Sequence, residues 1–257
     1  MTDTCILQLG RFGDIINILP LVHQTGWPIV VAEEFESLSH SIDYAQVIPA
    51  PVPAVDFPAG WQFAQQRFKR VCAAQVYNHT PPDFSLANGF MEQAYRNAGA
   101  HAEFLAGKFN AIPAFTRDEA AEARLRAAVL GSCRPPARPI LVCTSGVSSP
   151  FRDAELVLRT VQRYAARHPV VDISNVQAEK FTDMLGLLDA AALLVAADSG
   201  LMHLAGAHGK IPYIAYRNNL PGAWYRGYCR GNCVAKCDYS NVQGELYHIP
   251  RTISLLR

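Results

Sequence analysis

Three short stretches of the sequence gather glycine, hydroxyl, acid and basic side chains at places where an apolar run hands over to a helical pattern. The first is Gly10-Arg11-Phe12-Gly13-Asp14, between the apolar run Cys5 to Leu9 and a helical stretch from Ile15 to Val22. Glycines in such a turn (Gly10, Gly13, beside Arg11) let a ligand come close to backbone, and the open N–H groups of a helix start hold an acid ionised. An ionised carboxylate there can act as a general base, and the same acid can equally serve as a plain helix cap. The glycine spacing is not G-x-G-x-x-G, so it gives no dinucleotide fingerprint. The second stretch is Asp198-Ser199-Gly200-Leu201-Met202-His203. Ser199 and Gly200 would present N–H groups at the positive end of a helix, a place suited to a diphosphate, with His203 one turn on as a further donor; an ordinary cap with a half-buried histidine is the alternative. The third is the loop Thr144-Ser145-Gly146-Val147-Ser148-Ser149-Pro150-Phe151-Arg152. Its hydroxyls, loop amides and guanidinium suit phosphate oxygens, whereas the P-loop string is absent and a solvated loop would look the same.

Each stretch needs a strand and a helix to position it. The pattern supplies strands over Cys5–Leu9, Ile29–Ala32, Gln46–Ile48 and Cys72–Tyr77, with helices over Trp61–Arg70, Asn88–Ala98 and Arg117–Leu130. A second alternation follows: strands at Ile140–Thr144, Val170–Ser174, Leu193–Ala197 and Pro212–Tyr216, helices at Asp153–Arg167, Glu179–Leu188 and Gly200–His208. Strands alternating with helices predict α/β units with parallel sheets. Three prolines within Gly131–Pro139 suit neither a helix interior nor a central strand, so this segment reads as a linker between domains at 1–130 and 140–257, with a cleft between the two.

With 257 residues, half of them apolar and 18% charged, the chain can bury a substantial core. The net charge of +1 gives no global field toward nucleic acid or an acidic membrane. The first ten residues lack a signal peptide's basic and apolar regions, Asp198 interrupts the apolar run from Leu193, and seven cysteines make an odd number. These features predict a cytoplasmic protein with reduced thiols and no transmembrane segment.

Taken together, the three stretches resemble glycosyltransferase family 9, the heptosyltransferase-like enzymes. Leu9-Gly-Arg-Phe-Gly-Asp-Ile-Ile-Asn-Ile-Leu-Pro20 is similar to the family's amino-terminal Gly-Asp…Leu-Pro signature, and Asp198 to Ala205 to its Asp-Ser/Thr-Gly-x-x-His-Leu-Ala signature. The resemblance covers most of Ile140 to Tyr216 and the first 25 or so residues. It implies the GT-B fold, two Rossmann-like domains facing a cleft, the acceptor on the first and a nucleotide-diphosphate sugar, the co-substrate, on the second. It implies Asp14 as the catalytic base and Ser199, Gly200 and His203 as contacts to the donor diphosphate, to which the loop chemistry adds Ser145, Gly146 and Arg152 as candidates. Arg152 stands where the family usually has a lysine. Phe181 and Met184 are candidates for a base pocket, with a core role as the alternative. The expected activity is inverting and metal-independent sugar transfer with no cofactor, and the absence of an Asp-x-Asp string disfavours a metal-chelated diphosphate.

A saccharide or lipid-linked glycan is the favoured acceptor. The alternatives are hydroxymethylated DNA bases, as in viral-type DNA glycosyltransferases, and a sugar-nucleotide-binding module without catalysis. Residues 1–138 carry 11 Lys and Arg against 13 Asp and Glu, a poor polyanion surface, while 139–257 carry 12 against 9. A local strip, Arg67, Lys69 and Arg70 with Phe63 and Phe68, is what a DNA strand would use. Cys229, Cys233 and Cys237 are spaced C-x3-C-x3-C, not a common zinc spacing; free thiols, one disulfide, or zinc with His248 are the readings open to them.

Overall fold

The structure, a computed structural model, describes residues 3–76, 89–131, 133, 137–146, 151, 153–165, 167–217, 229–238, 246 and 248–256. By packing, the chain divides into two units, one of described residues up to Thr116 and one of those from Arg117 on.

The first unit is built on four parallel strands: β1 (Thr4–Leu7), β2 (Ile29–Ala32), β3 (Val47–Ala50) and β4 (Arg70–Ala73), in the order β3-β2-β1-β4. The helices α1 (Phe12–Thr25), α2 (Phe57–Gln65), α3 (Phe90–Asn97) and α4 (His101–Leu105) belong to it, with a 3-10 segment at Glu33–His40. Cys5, Ile6 and Leu7 are fully buried, as a central parallel strand covered on both faces must be. Helix α1 is buried continuously from Phe12 to Val22 and ends at Gly26 in the left-handed conformation. The helix expected at Trp61–Arg70 begins earlier, at Phe57, where Asp56 accepts the Ala59 N–H as its cap, and ends at Gln65 so that Arg70 can open β4.

The second unit carries β5 (Ile140–Cys143), β6 (Val170–Asp172), β7 (Leu193–Ala197), β8 (Tyr213–Arg217) and β9 (Cys233–Asp238), all parallel, in the order β6-β5-β7-β8-β9. With them go α5 (Glu119–Leu130), α6 (Ala154–Tyr164), α7 (Leu185–Ala190) preceded by a 3-10 turn at Phe181–Met184, α8 (Gly200–His208) and α9 (His248–Ser254). Ile140, Val142, Val157, Val161, Leu193, Val195 and Tyr216 form its core.

Helix α5 belongs by packing to the second unit. It packs on α7, so tightly that a Cβ on Gly186 would lie 2.8 Å from Glu122 Cβ, and Arg117 just ahead of it pairs with Asp189 at 2.6 Å. By packing, the division therefore falls at Thr116/Arg117. An amphipathic pattern identifies the helix but not which sheet it covers. Among the described residues no helix is long and apolar enough to cross a membrane.

Candidate functional site

Both sheets reverse their winding once. In the first sheet the chain moves outward from β1 to β2 and β3, then returns to the other side of β1 with β4; in the second, β5 and β7 flank the reversal. Ligands of open parallel sheets bind beside the carboxyl ends of the strands at such a switch point. The Gly10 turn leaves the end of β1, and residues 144–146 and the Asp198 turn leave the ends of β5 and β7, so the described parts of the three stretches sit at these two points.

In the first unit Asp14 occupies the third position of α1, 6% exposed, and its Oδ2 accepts the Arg11 N–H at 3.2 Å. The acid is thus both cap and candidate base, held where the helix dipole favours its charged form. A Cβ on Gly10 would lie 2.7 Å from both Asp14 Oδ2 and Gln8 Oε1. Glycine is required here by the approach of the protein's own acid and amide, before any ligand is considered. Asn17 donates to Gly13 O at 3.0 Å, and Tyr95 donates to Asn17 O at 2.9 Å, tying the start of α1 to α3.

In the second unit Ser199 caps α8 in extended conformation, Gly200 opens the helix, and its first turn carries no acid. His203 is 4% exposed, its Nε2 3.4 Å from Oδ1 of Asp198, itself 3% exposed. The Ser199 hydroxyl oxygen is buried with no partner of ordinary hydrogen-bond geometry, beside the Cys143 thiol, whose acidity burial suppresses. The neighbouring loop is held by a hydroxyl ladder. Ser174 Oγ donates to Asp172 Oδ1 at 2.5 Å and accepts the Thr144 N–H at 2.8 Å, while Ser145 Oγ donates to Ser174 O at 2.8 Å. Ser145 and Gly146 are thereby set beside the start of α8, since Cys143 is in register with Ala196.

Arg152 lies outside the described residues. Phe181 and Met184 belong to the 3-10 turn packed on α5 and α7, with Met184 buried. The strip of Arg67, Lys69 and Arg70 is engaged locally: Arg67 over the Phe63 ring at 3.7 Å, Lys69 with Asp3 at 2.9 Å, and Arg70 over Trp27 at 5.8 Å. Arg70 is in register with Thr4, the first residue of β1, so the strip lies at the amino edge of the sheet and Asp14 beyond the carboxyl edge.

None of the seven cysteines is in a disulfide. Cys237 sits fully buried in the core against Ile249 and Ile253, whereas Cys233 pairs with Tyr213 across a register shift in β9 that sets it apart from that core face. A hydrogen bond from Cys229 holds the Cys233 thiol below its ordinary pKa. Among the described residues no three His, Cys, Asp or Glu side chains are grouped to hold a metal, His248 included.

Residues that sequence reasoning passed over are Gln8, Gln75, Cys143, Asp172 and Ser174. The signal was present: Leu7-Gln8-Leu9 and Ala74-Gln75-Val76 each put a lone amide at the end of an apolar strand.

Two parallel-sheet Rossmann-like units, each with a glycine turn entering a helix at its switch point, make a doubly wound α/β architecture that solved glycosyltransferase structures share. The fold is that of the glycosyl transferase family 9 protein from Veillonella parvula (TM-score 0.62, 10% identity, 98% of this chain and 88% of that one). It is equally that of E. coli ADP-heptose lipopolysaccharide heptosyltransferase II (0.64, 12%, 100% and 98%) and E. coli heptosyltransferase WaaC with ADP (0.54, 14%, 99% and 99%). In sequence the chain matches no family profile and no curated protein.

Proposed function

We infer that the protein transfers a sugar from a nucleoside-diphosphate sugar to an acceptor hydroxyl, with inversion and without a metal. The observation that carries this reading is the contrast between its two switch points, an acid in the first turn of α1 and an acid-free, hydroxyl-lined start of α8, on a fold shared with heptosyltransferases. Asp14 takes the acceptor proton as that oxygen bonds to the anomeric carbon. The bond from that carbon to the diphosphate oxygen breaks on the opposite face, which inverts the centre. The departing diphosphate gains charge, and the N–H groups at Ser199 and Gly200, His203, Ser145, Gly146 and Arg152 stabilise it. Those fixed donors do the work that a chelated cation does in other transferases. WaaC has been solved with ADP and with an ADP-heptose analogue, which makes ADP-sugars the first donors to try.

A saccharide or lipid-linked glycan is the acceptor this geometry favours. The basic strip that DNA would need lies roughly 10 Å of strand away, at the other edge of the sheet. The cytoplasm, where nucleotide sugars are made and thiols stay reduced, is the compartment that suits it. The test is thermal stabilisation by a panel of nucleoside diphosphates and their sugars, followed by assay of nucleoside-diphosphate release with saccharide acceptors in excess EDTA. A product of inverted anomeric configuration, formed without metal, is expected. No stabilisation by any nucleotide would overturn the reading.

A further inference from the structure

The Leu9–Gly10 turn is held more firmly than a connecting loop needs to be. Gln8 is 2% exposed; its Nε2 donates to Ala74 O and its Oε1 accepts the Gly10 N–H, both at 2.8 Å. Gln75 is fully buried, and its Oε1 accepts the Leu9 N–H at 2.9 Å. The amides therefore cross between the ends of β1 and β4, each reaching the other strand's continuation. Asn97 donates to Gln75 O at 2.9 Å and extends the brace to α3. A third point closes it: Val55 donates its N–H to Leu9 O at 2.7 Å from a left-handed backbone with φ +64°, a conformation that a β-branched residue adopts only when its surroundings impose it. Gln75 Nε2 meanwhile is buried with no hydrogen-bond partner among the described residues. An unmatched buried donor and a strained valine are costs that the fold carries at one turn, and that turn leads into Asp14.

We propose that Gln8 and Gln75 are positioning residues for Asp14, two buried amides that lock the β1–α1 turn to the end of β4 and so fix where the carboxylate meets its substrate. The link to the acid is direct, since Gln8 Oε1 and Asp14 Oδ2 flank the same Gly10 Cα, leaving no room for a Cβ. The proposal rests on the catalytic reading of Asp14 given above, and it needs a test that does not depend on a known acceptor.

That test is nuclear magnetic resonance on the full chain, reading amide exchange at Leu9 and Gly10 and the carboxyl titration of Asp14, identified by its loss in Asp14→Asn. Gln75→Leu should speed exchange at Leu9, and Gln8→Leu at Gly10, each by at least about tenfold as the acceptor is lost. Gln75→Glu, buried and neutral, keeps an oxygen for the Leu9 N–H and should restore most of the protection. Gln8→Glu places a second carboxylate beside Asp14 and should move its titration upward by about one pH unit or more. That shift reports proximity, so the deciding readout is the uncharged Gln8→Leu, which should also move the Asp14 titration, as loss of a merely structural amide would not. Folding of each variant is checked by its melting curve, and the Glu variants carry the test where a Leu variant fails to fold. Exchange and titration unchanged from wild type in folded variants would overturn the brace. Full turnover in Asp14→Asn would instead overturn the catalytic reading, a separate outcome.

Discussion

The two switch points share a topology and differ in chemistry. In both, a buried parallel strand ends in a glycine-containing turn that enters a helix. The first helix carries an acid at its third position and is braced by carboxamides; the second has no acid in its first turn and is lined by hydroxyls, with a buried histidine behind them. A helix start attracts negative charge in either case. Where the protein supplies that charge itself, as at Asp14, the proposed function has the site handle a proton. Where the first turn carries no acid, as at Ser199 and Gly200, the proposed function has the site hold an anion. One local geometry thus gives two chemistries through a single choice of residue.

The largest expected effect follows from that difference. Asp14→Asn keeps the shape of the turn and the oxygen that accepts the Arg11 N–H, but removes the base. Turnover should fall by about 10²- to 10⁴-fold while calorimetric affinity for the nucleoside diphosphate stays within about twofold of wild type. Comparable turnover in the variant would break the division of labour. The converse change is His203→Gln. It should leave the first site intact and weaken nucleoside-diphosphate affinity about tenfold, because one donor at the anion site is displaced. Unchanged affinity would put the donor elsewhere.

The units also differ in how their helices are fastened. At the first site the ties are neutral amides, whereas α5, α7 and α8 are joined by charge around Asp189, which meets Arg117 at 2.6 Å, His208 at 2.7 Å and Lys210 at 3.6 Å. Burial alone would raise the Asp189 carboxyl, but the hydrogen bonds from His208 and Arg117 outweigh it and hold it below its ordinary value. A carboxyl lowered by folding contributes stability above its unfolded pKa and loses that contribution as pH falls through the folded value. Asp189→Asn should therefore cost about 1–2 kcal/mol at neutral pH, a fall of several degrees at most in melting temperature. The difference from wild type should close below about pH 4, near the unperturbed carboxyl value. A difference that persists undiminished at pH 3 would rule out the ion pairs as its source.

Much of this organisation was legible from the chain alone. Leu193–Ala197 and Gly200–His208 are found at the expected bounds, because a fully buried strand and a glycine-flanked helix announce themselves by composition. Strand β9 was missed. Its cysteines drew a reading as a cluster, and the register shift between Cys233 and Ala235 breaks the period-two alternation by which a strand shows itself. The ownership of α5 was also hidden, because it depends on the fit of Glu122 to Gly186, a contact across more than sixty residues of sequence. At the site, glycines and an acid were visible as motifs. The braces were not, since Gln8 and Gln75 become partners only when β1 and β4 lie side by side.

The smallest expected effect separates the two edges of the first sheet. Arg67, Lys69 and Arg70 lie at the amino edge, where Phe63, Asp3 and Trp27 already engage them. Exposed pairs of this kind contribute little to stability, and Lys69 and Asp3 are both largely solvent-exposed. With a saccharide acceptor, replacing all three by Gln should change turnover less than about twofold and leave its salt dependence flat. With DNA as acceptor, binding would release counterions, so log affinity would fall with log salt by about 0.9 per phosphate neutralised, and the triple change would flatten that slope by up to about three units. The position of Asp14 beyond the opposite edge favours the first outcome. A hydroxymethylated duplex that bound tightly, became glycosylated, and lost its steep salt dependence in the triple variant would reverse the assignment of the two edges and make the amino edge the acceptor surface.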